Sequence, residues 1–184
     1  MRHIFRWSSI DGVGTEYLDV DFAADGTVAS GVVVGEDEGV PYGLVYTVRT
    51  DAEWRTRAVE VAHPADGRRL RLLSDGEGRW SDALTGEYLP LLDGCIDVDI
   101  AATPFTNTLP IRRRTWTHGL SRTFSMAYVS VPELVASKKE QRYTCIEEKK
   151  RFLFETLPPV FQAELTIDAH GLVVDYPGLF RRLP

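Results

Sequence analysis

Cysteine is nearly missing from this chain: Cys95 and Cys145 are the only two among 184 residues. Two thiols in unlike surroundings point to buried free cysteines rather than a disulfide framework, and no C-x-x-C pair suggests a structural metal. Histidine is equally thin. His3, His63, His118 and His170 are scattered, none with a metal-type neighbour at i+2 or i+4, and His63 and His170 fall in turns where they are expected to be solvent-exposed. No apolar run approaches the ~20 residues of a membrane span. The opening MRHIFRWSSIDGVG has neither the apolar core nor the cleavage site of a secretory signal, so the expectation is a cytoplasmic protein. Positive charge is in deficit, with 21 Lys and Arg against 27 Asp and Glu. That balance disfavours nucleic acid as a partner, because phosphate backbones require a basic face. A G-x-S-x-G elbow, a P-loop and a Cys/His catalytic signature are also missing, which favours a binder over an enzyme.

What the chain does have is turns. Asp-Gly, the strongest short-range hairpin signal, occurs at Asp11-Gly12, Asp25-Gly26, Asp66-Gly67, Asp75-Gly76 and Asp93-Gly94, with related turns at Glu38-Gly39, Thr85-Gly86 and Asp168–Gly171. Between them apolar residues alternate: Leu18, Val20 and Phe22; Leu44, Tyr46 and Val48; Leu70 and Leu72; Ala163, Leu165 and Ile167. A period of two bounded by turns means antiparallel strands with one wet face. The segments Phe124–Val131 and Leu172–Val174 are apolar or small on both faces, which implies cover on both sides by a helix, a second sheet or a lipid. Helical spacing is scarce. One stripe, Val98, Ala101, Ala102, Phe105 and Leu109, fits, with Thr103 as N-cap, Pro104 in the first turn, and Pro110 ending or kinking the helix within two turns. With a hydrophobic fraction of 43% and no linker or repeat, residues 1–184 read as a single domain.

Polar density concentrates in Gly94–Arg114, GCIDVDIAATPFTNTLPIRRR. Asp97 and Asp99, two residues apart, share a strand face. They could hold a cation or act as acid and base, or they could cap the following helix and meet Arg112 or Arg114. Thr106, Asn107 and Thr108 offer donors and acceptors suited to the hydroxyls of a sugar or glycerol headgroup, and equally to a turn. Arg112 to Arg114 read as a strand with Arg112 and Arg114 on one face. Trp54, Arg55, Thr56 and Arg57 read as an alternating strand with the aromatic on one side and two guanidiniums on the other, either a binding wall or a core Trp with two Arg on the wet face. Trp80 and Glu16 are open between core and site.

These residues carry a resemblance. The block GCIDVDIAATPFTNTLPIRR, preceded by PYGLVYTVRTDAEWRTRAVEV and DGEGRW and followed by MAYVSVPELV, EQRYTC and LVVDYPGLFRR, resembles the bacterial putative glycolipid-binding family, over about Glu16 to Phe180. The resemblance implies a mostly-β fold, a long antiparallel sheet forming a spiral β-roll or half-barrel around a single helix, similar in architecture to the lipoprotein-localisation carriers. It brings no catalytic residue, cofactor or metal. It marks Tyr46, Trp54, Arg55, Arg57, Trp80, Asp97, Asp99, Thr103, Phe105, Thr106, Asn107, Pro110, Arg112 and Tyr143 as matching the family's motif blocks, and all but Pro110 are taken as candidate ligand-binding residues. The resulting expectation is non-catalytic binding of a lipid-like or glycolipid-like molecule. Its apolar body would lie against Phe124, Met126, Tyr128, Phe152 and Phe154, and its headgroup against Asp99, Thr106, Asn107 and Arg112. The alternatives are an enzyme using Asp97 and Asp99, or a β module that pairs an edge strand with a protein partner.

Overall fold

Each of the eight glycine turns expected from the sequence falls at a turn or loop of the computed structural model, which describes residues 1–184, with Gly26 opening the strand that follows its turn. Glu38 and Gly39 both take positive φ, 47° and 82°, the geometry that lets a two-residue hairpin keep the right-handed twist of its strands. The strands so delimited are β1 (Arg2–Ser9), β2 (Thr15–Ala23), β3 (Gly26–Asp37), β4 (Val40–Asp51), β5 (Thr56–Ala62), β6 (Arg69–Ser74) and β7 (Trp80–Asp82). After a connection containing one 3-10 turn come β8 (Asp97–Ile100), a 3-10 turn at Pro104–Asn107, and α1 (Thr108–Arg112). The chain then continues through β9 (Ser121–Val129), β10 (Ala136–Glu147), β11 (Arg151–Leu157), β12 (Gln162–Ile167), β13 (Val173–Tyr176) and β14 (Phe180–Arg182).

All fourteen strands join one sheet in the order β7-β6-β5-β4-β3-β2-β1-β14-β13-β12-β11-β10-β9-β8. Two meanders are thus sewn together where β1 meets β14, with Trp7 opposite Arg182. The sheet is mostly β, rolled and not closed. Its two ends approach each other without forming a ladder: the Thr56 amide donates to the Ile96 carbonyl (3.3 Å) and the Gly94 amide to the Gly78 carbonyl (2.9 Å). Gly78, at φ 100°, sits so close that a Cβ there would lie 2.8 Å from the Gly94 Cα. One pair departs from the antiparallel expectation. β8 runs parallel to β9, Asp97 beside Met126 and Asp99 beside Tyr128. A parallel pair needs a long crossover, and residues 101–120, which hold α1, supply it.

The interior is divided in two. A larger core collects Trp7, Leu18, Val48, Trp80, Phe105 and Leu109, and a smaller one collects Trp116, Met126, Tyr143, Phe152, Leu165 and Val173. Strand β9 serves both, with Met126 in one core and Ala127 in the other, each fully buried. Its two-faced apolar character therefore reflects two protein cores. The second such segment divides differently: Leu172 and Val173 are buried in different cores, while Val174 is exposed. The helical stripe is partly corrected. Val98 belongs to β8, and the helical residues begin at Pro104. Thr103 is the N-cap, its hydroxyl accepting from the Phe105 amide at 3.0 Å. Pro110 neither ends nor breaks α1, because it falls in the first turn, where an amide N–H is dispensable. The helix continues to Arg112, so Arg112 and Arg113 lie at a helix end rather than in a strand.

Candidate functional site

A belt of buried polar side chains links Tyr46 of the larger core to neighbours of Tyr143 in the smaller one, and its starting point is a glycine. Gly31 of β3 stands opposite Tyr46 of β4, and a Cβ at Gly31 would come within 2.1 Å of the Tyr46 ring. The space left by that missing side chain is the space the ring fills. The Tyr46 hydroxyl then donates to Glu16 Oε1, and the Thr103 hydroxyl donates to the same oxygen at 2.8 Å. Further along, the Thr106 hydroxyl (3.0 Å) and the Gln141 amide (2.6 Å) donate to the two carboxylate oxygens of Asp99. Asn107 donates to the Tyr143 hydroxyl oxygen at 2.8 Å, and that hydroxyl donates to Gln141.

Glu16 is the least expected member. It is 3% exposed, and its second oxygen, Oε2, is buried with no hydrogen-bond donor. Burial pushes its pKa up to about 7, against the Tyr46 and Thr103 bonds that favour the ionised form. Glu16 lines a cleft of about 250 Å³ with Trp7, Val33, Tyr42, Ala102 and Phe180. Asp99, half-buried, lines a second cleft of about 170 Å³ with Thr103, Asn107, Tyr128 and Tyr176. Burial also raises the Asp99 pKa, opposed by its Gln141 and Thr106 bonds. Ala101, Leu179 and Phe180 wall both clefts, so the two adjoin. No Lys or Arg lines either, while Asp11, Glu36 and Asp37 rim the first.

The other carboxylate of the pair has a different situation. Asp97 is fully buried and held in a two-pronged ion pair by Arg113, with Nε to Oδ1 at 3.0 Å and Nη2 to Oδ2 at 2.6 Å. Its partner is the middle arginine, not Arg112 or Arg114, because the helix end turns Arg113 inward. Asp97 and Asp99 therefore separate into a structural anchor and a cleft acceptor.

Several candidates lie elsewhere. Arg112 is not beside Asp99; its guanidinium lies over the Trp54 ring, 4.8 Å from the centroid. It lines two cavities, one of about 270 Å³ with His3, Phe22, Trp54 and His170, and one of about 530 Å³ with Arg114, Trp116 and Lys149. These open at the other end of the strands. Glu16 is near the start of β2 and Phe22 near its end, about 20 Å away at the strand rise. Trp54 is in the β4–β5 turn at φ 64°, so the expected alternating strand begins only at Thr56. Arg55 and Arg57 both approach Asp51, at 3.4 and 3.7 Å. Trp80 and Phe105 are core residues, the Trp80 indole donating to the Cys95 carbonyl at 2.7 Å. His63 is buried rather than exposed, its ring nitrogens reaching the carbonyls of Gly43 (2.9 Å) and Pro132 (2.6 Å), so it ties two backbones together. Four of the five side chains expected to hold an acyl body are packed into the smaller core. Met126, Phe152, Phe154 and Phe124 are buried, and the Tyr143 ring lies 5.2 Å from Phe154 and 5.9 Å from Phe124. Of the five, Tyr128 and Phe154 line the Asp99 cleft, and Phe152 lines the 530 Å³ cavity at the other end.

Sequence reasoning left Glu16 open and missed Gln141 and Tyr176. The signal for Glu16 was its register: it shares the inward phase of Leu18 and Val20, where an acid is out of place.

The fold and its rim clefts define an open β-roll, one sheet curled about a short helical crossover. The chain belongs to the family described as "Putative glycolipid-binding", whose model matches residues 4–182. Among solved structures it is similar to a DUF1089-family protein from Pseudomonas aeruginosa, at 39% identity over 91% of this chain and 92% of that one, with a TM-score of 0.82. No curated protein matches it. No helix is long and apolar enough to cross a membrane.

Proposed function

We propose that this protein binds, without transforming it, the sugar-type headgroup of a glycolipid-like small molecule in the adjoining clefts of Glu16 and Asp99. The observation that carries this reading is Glu16 Oε2, a buried acceptor with no donor on the wall of a cleft that holds no cation. Such an oxygen costs about 1–3 kcal/mol when left unpaired, and a ligand hydroxyl would satisfy it. Asp99, Thr103 and Asn107 add acceptors and donors along the second cleft, and Tyr42, Tyr128 and Phe180 offer apolar faces to a sugar ring. The rim carboxylates disfavour an anionic headgroup. Because the interior of the roll is filled by its own side chains, the lipid part lies along the cleft walls rather than inside the roll. Of the candidates named from the sequence, this reading keeps Asp99, Thr103 and Asn107 near the ligand, with Thr106 holding Asp99. Tyr46 and Tyr143 become residues that position the carboxylates and amides. The cytoplasmic location is part of this proposal, and two free, buried cysteines support it.

The test is native mass spectrometry of gently purified protein, followed by calorimetric titration with octyl glucoside. The expected result is one glycolipid-type molecule per chain, or one-to-one octyl glucoside binding that weakens at least tenfold, about 1.4 kcal/mol, in Glu16→Ala. Unchanged binding in that variant defeats the reading. A second reading, acid–base chemistry on the bound sugar, is favoured by the Glu16 pKa of about 7. Release of p-nitrophenol from nitrophenyl glycosides, lost in Glu16→Gln, would establish it.

A further inference from the structure

The far end of the roll carries a different chemistry. Its cavity of about 530 Å³ has an apolar floor of Ile111, Trp116, Phe152 and Ile167, all buried side chains. Three cations, Arg112, Arg114 and Lys149, stand on its rim. Their sequence neighbours are neutralised: Arg113 by Asp97, Lys150 and Arg151 by Glu147. None of the three rim cations makes an ion pair or donates a hydrogen bond to the protein. Arg122 has its guanidinium 5.8 Å from the Trp116 ring centroid and its Nε–H buried without an acceptor. Partial burial and the neighbouring guanidiniums of Arg113 and Arg122 lower the pKa of Arg114, as expected where positive charge is not neutralised locally. Of the two acids on the rim, Asp168 is engaged by Arg182 and by the amides of its own turn, which leaves only Glu148. In a chain with six more acids than bases, an excess of unpaired cations around an aromatic floor is a local inversion of the protein's charge.

We propose that this cavity is a second binding site, for a phosphate-type oxyanion carried on an apolar body. Guanidiniums bind such oxyanions through paired N–H donors, and Lys149 adds a mobile point charge. Trp116 and Phe152 receive the apolar part. The volume falls in the range of about 300–1,000 Å³ common to small-molecule sites. The site is independent of the sugar cleft, since it shares none of that cleft's lining residues.

Calorimetric titration of the full chain with octyl phosphate below its micellar concentration tests this, beside inorganic phosphate and octyl glucoside. Octyl phosphate should bind one-to-one, and its affinity should fall at least tenfold in the Arg112→Ala/Arg114→Ala double variant while that for octyl glucoside does not change. Lys149→Ala, at an exposed turn, should give a smaller loss and keeps the test valid if the arginine pair perturbs α1. Inorganic phosphate should bind at least tenfold more weakly; equal affinity would overturn the apolar half of the proposal. Octyl phosphate affinity unchanged in both variants overturns the site itself. Loss of octyl glucoside binding alone, in Glu16→Ala, bears only on the other cleft.

Discussion

The two ends of the roll both hold charge without a partner, but under opposite conditions. At one end Glu16 and Asp99 are acceptors largely withdrawn from water, held only by neutral donors. At the other, Arg112, Arg114 and Lys149 are exposed. Between them Asp97 and Arg113 satisfy one another inside the packing. Full burial goes with a full ion pair and exposure with no pair at all; only the acidic end combines burial with an incomplete set of partners. A protein tolerates that combination most readily where a ligand completes it.

The comparison can be broken first at its middle. Arg113→Ala strands Asp97 as a fully buried charge and should cost about 3–5 kcal/mol in urea denaturation. A loss below about 1 kcal/mol would mean that the pair is not the anchor separating the two ends. Next comes the acidic end. Glu16 has a folded pKa of about 7, raised from 4.5 by burial. Between those values the folded state holds a proton that the unfolded state has released, so stability must fall as pH rises from about 4.5 to 7. The shift corresponds to about 3 kcal/mol. Glu16→Gln should remove that part of the slope and be more stable than the parent at about pH 8, as read from denaturation midpoints across the range. Parallel pH profiles would show that Glu16 is not strained. The smallest effect is expected at the basic end. Arg114→Ala should change stability by no more than about 0.5 kcal/mol, since the site is solvated, and any gain should shrink as salt screens its neighbours. A large loss there would make the two ends alike and remove the contrast.

The fold was legible because turn chemistry and alternation are local. Asp25-Gly26 and Glu38-Gly39 set hairpins whatever the rest of the chain does, and Leu18, Val20 and Leu44 declare their face by register. The site was legible only in part. Thr103 showed itself as a cap because a hydroxyl before Pro104 has a local meaning, and Asp99, Thr103 and Asn107 do line one cleft. The partner of Asp97 did not show, since the choice among Arg112, Arg113 and Arg114 depends on whether the backbone there is helix or strand. Pro110 was the misleading residue: it reads as a stop, yet it sits in the one helical turn that accepts it. The parallel β8–β9 pair was also hidden, because a short four-residue strand followed by a crossover has no periodicity of its own. Gln141, from a strand about forty residues away, enters the site only through tertiary pairing.

The seam between β1 and β14 has a consequence for how the molecule is made. The first meander can pair strand by strand as it leaves the ribosome, but the outer edge of β1 has no neighbour until residues 180–182 are synthesised. During that interval a long unpaired edge is open to other chains, a known route to mispairing. Only three register pairs, Trp7 with Arg182, Ser8 with Arg181 and Ser9 with Phe180, close it. Strand β14 thus completes the sheet at its centre, and the nascent protein stays vulnerable until that strand has emerged.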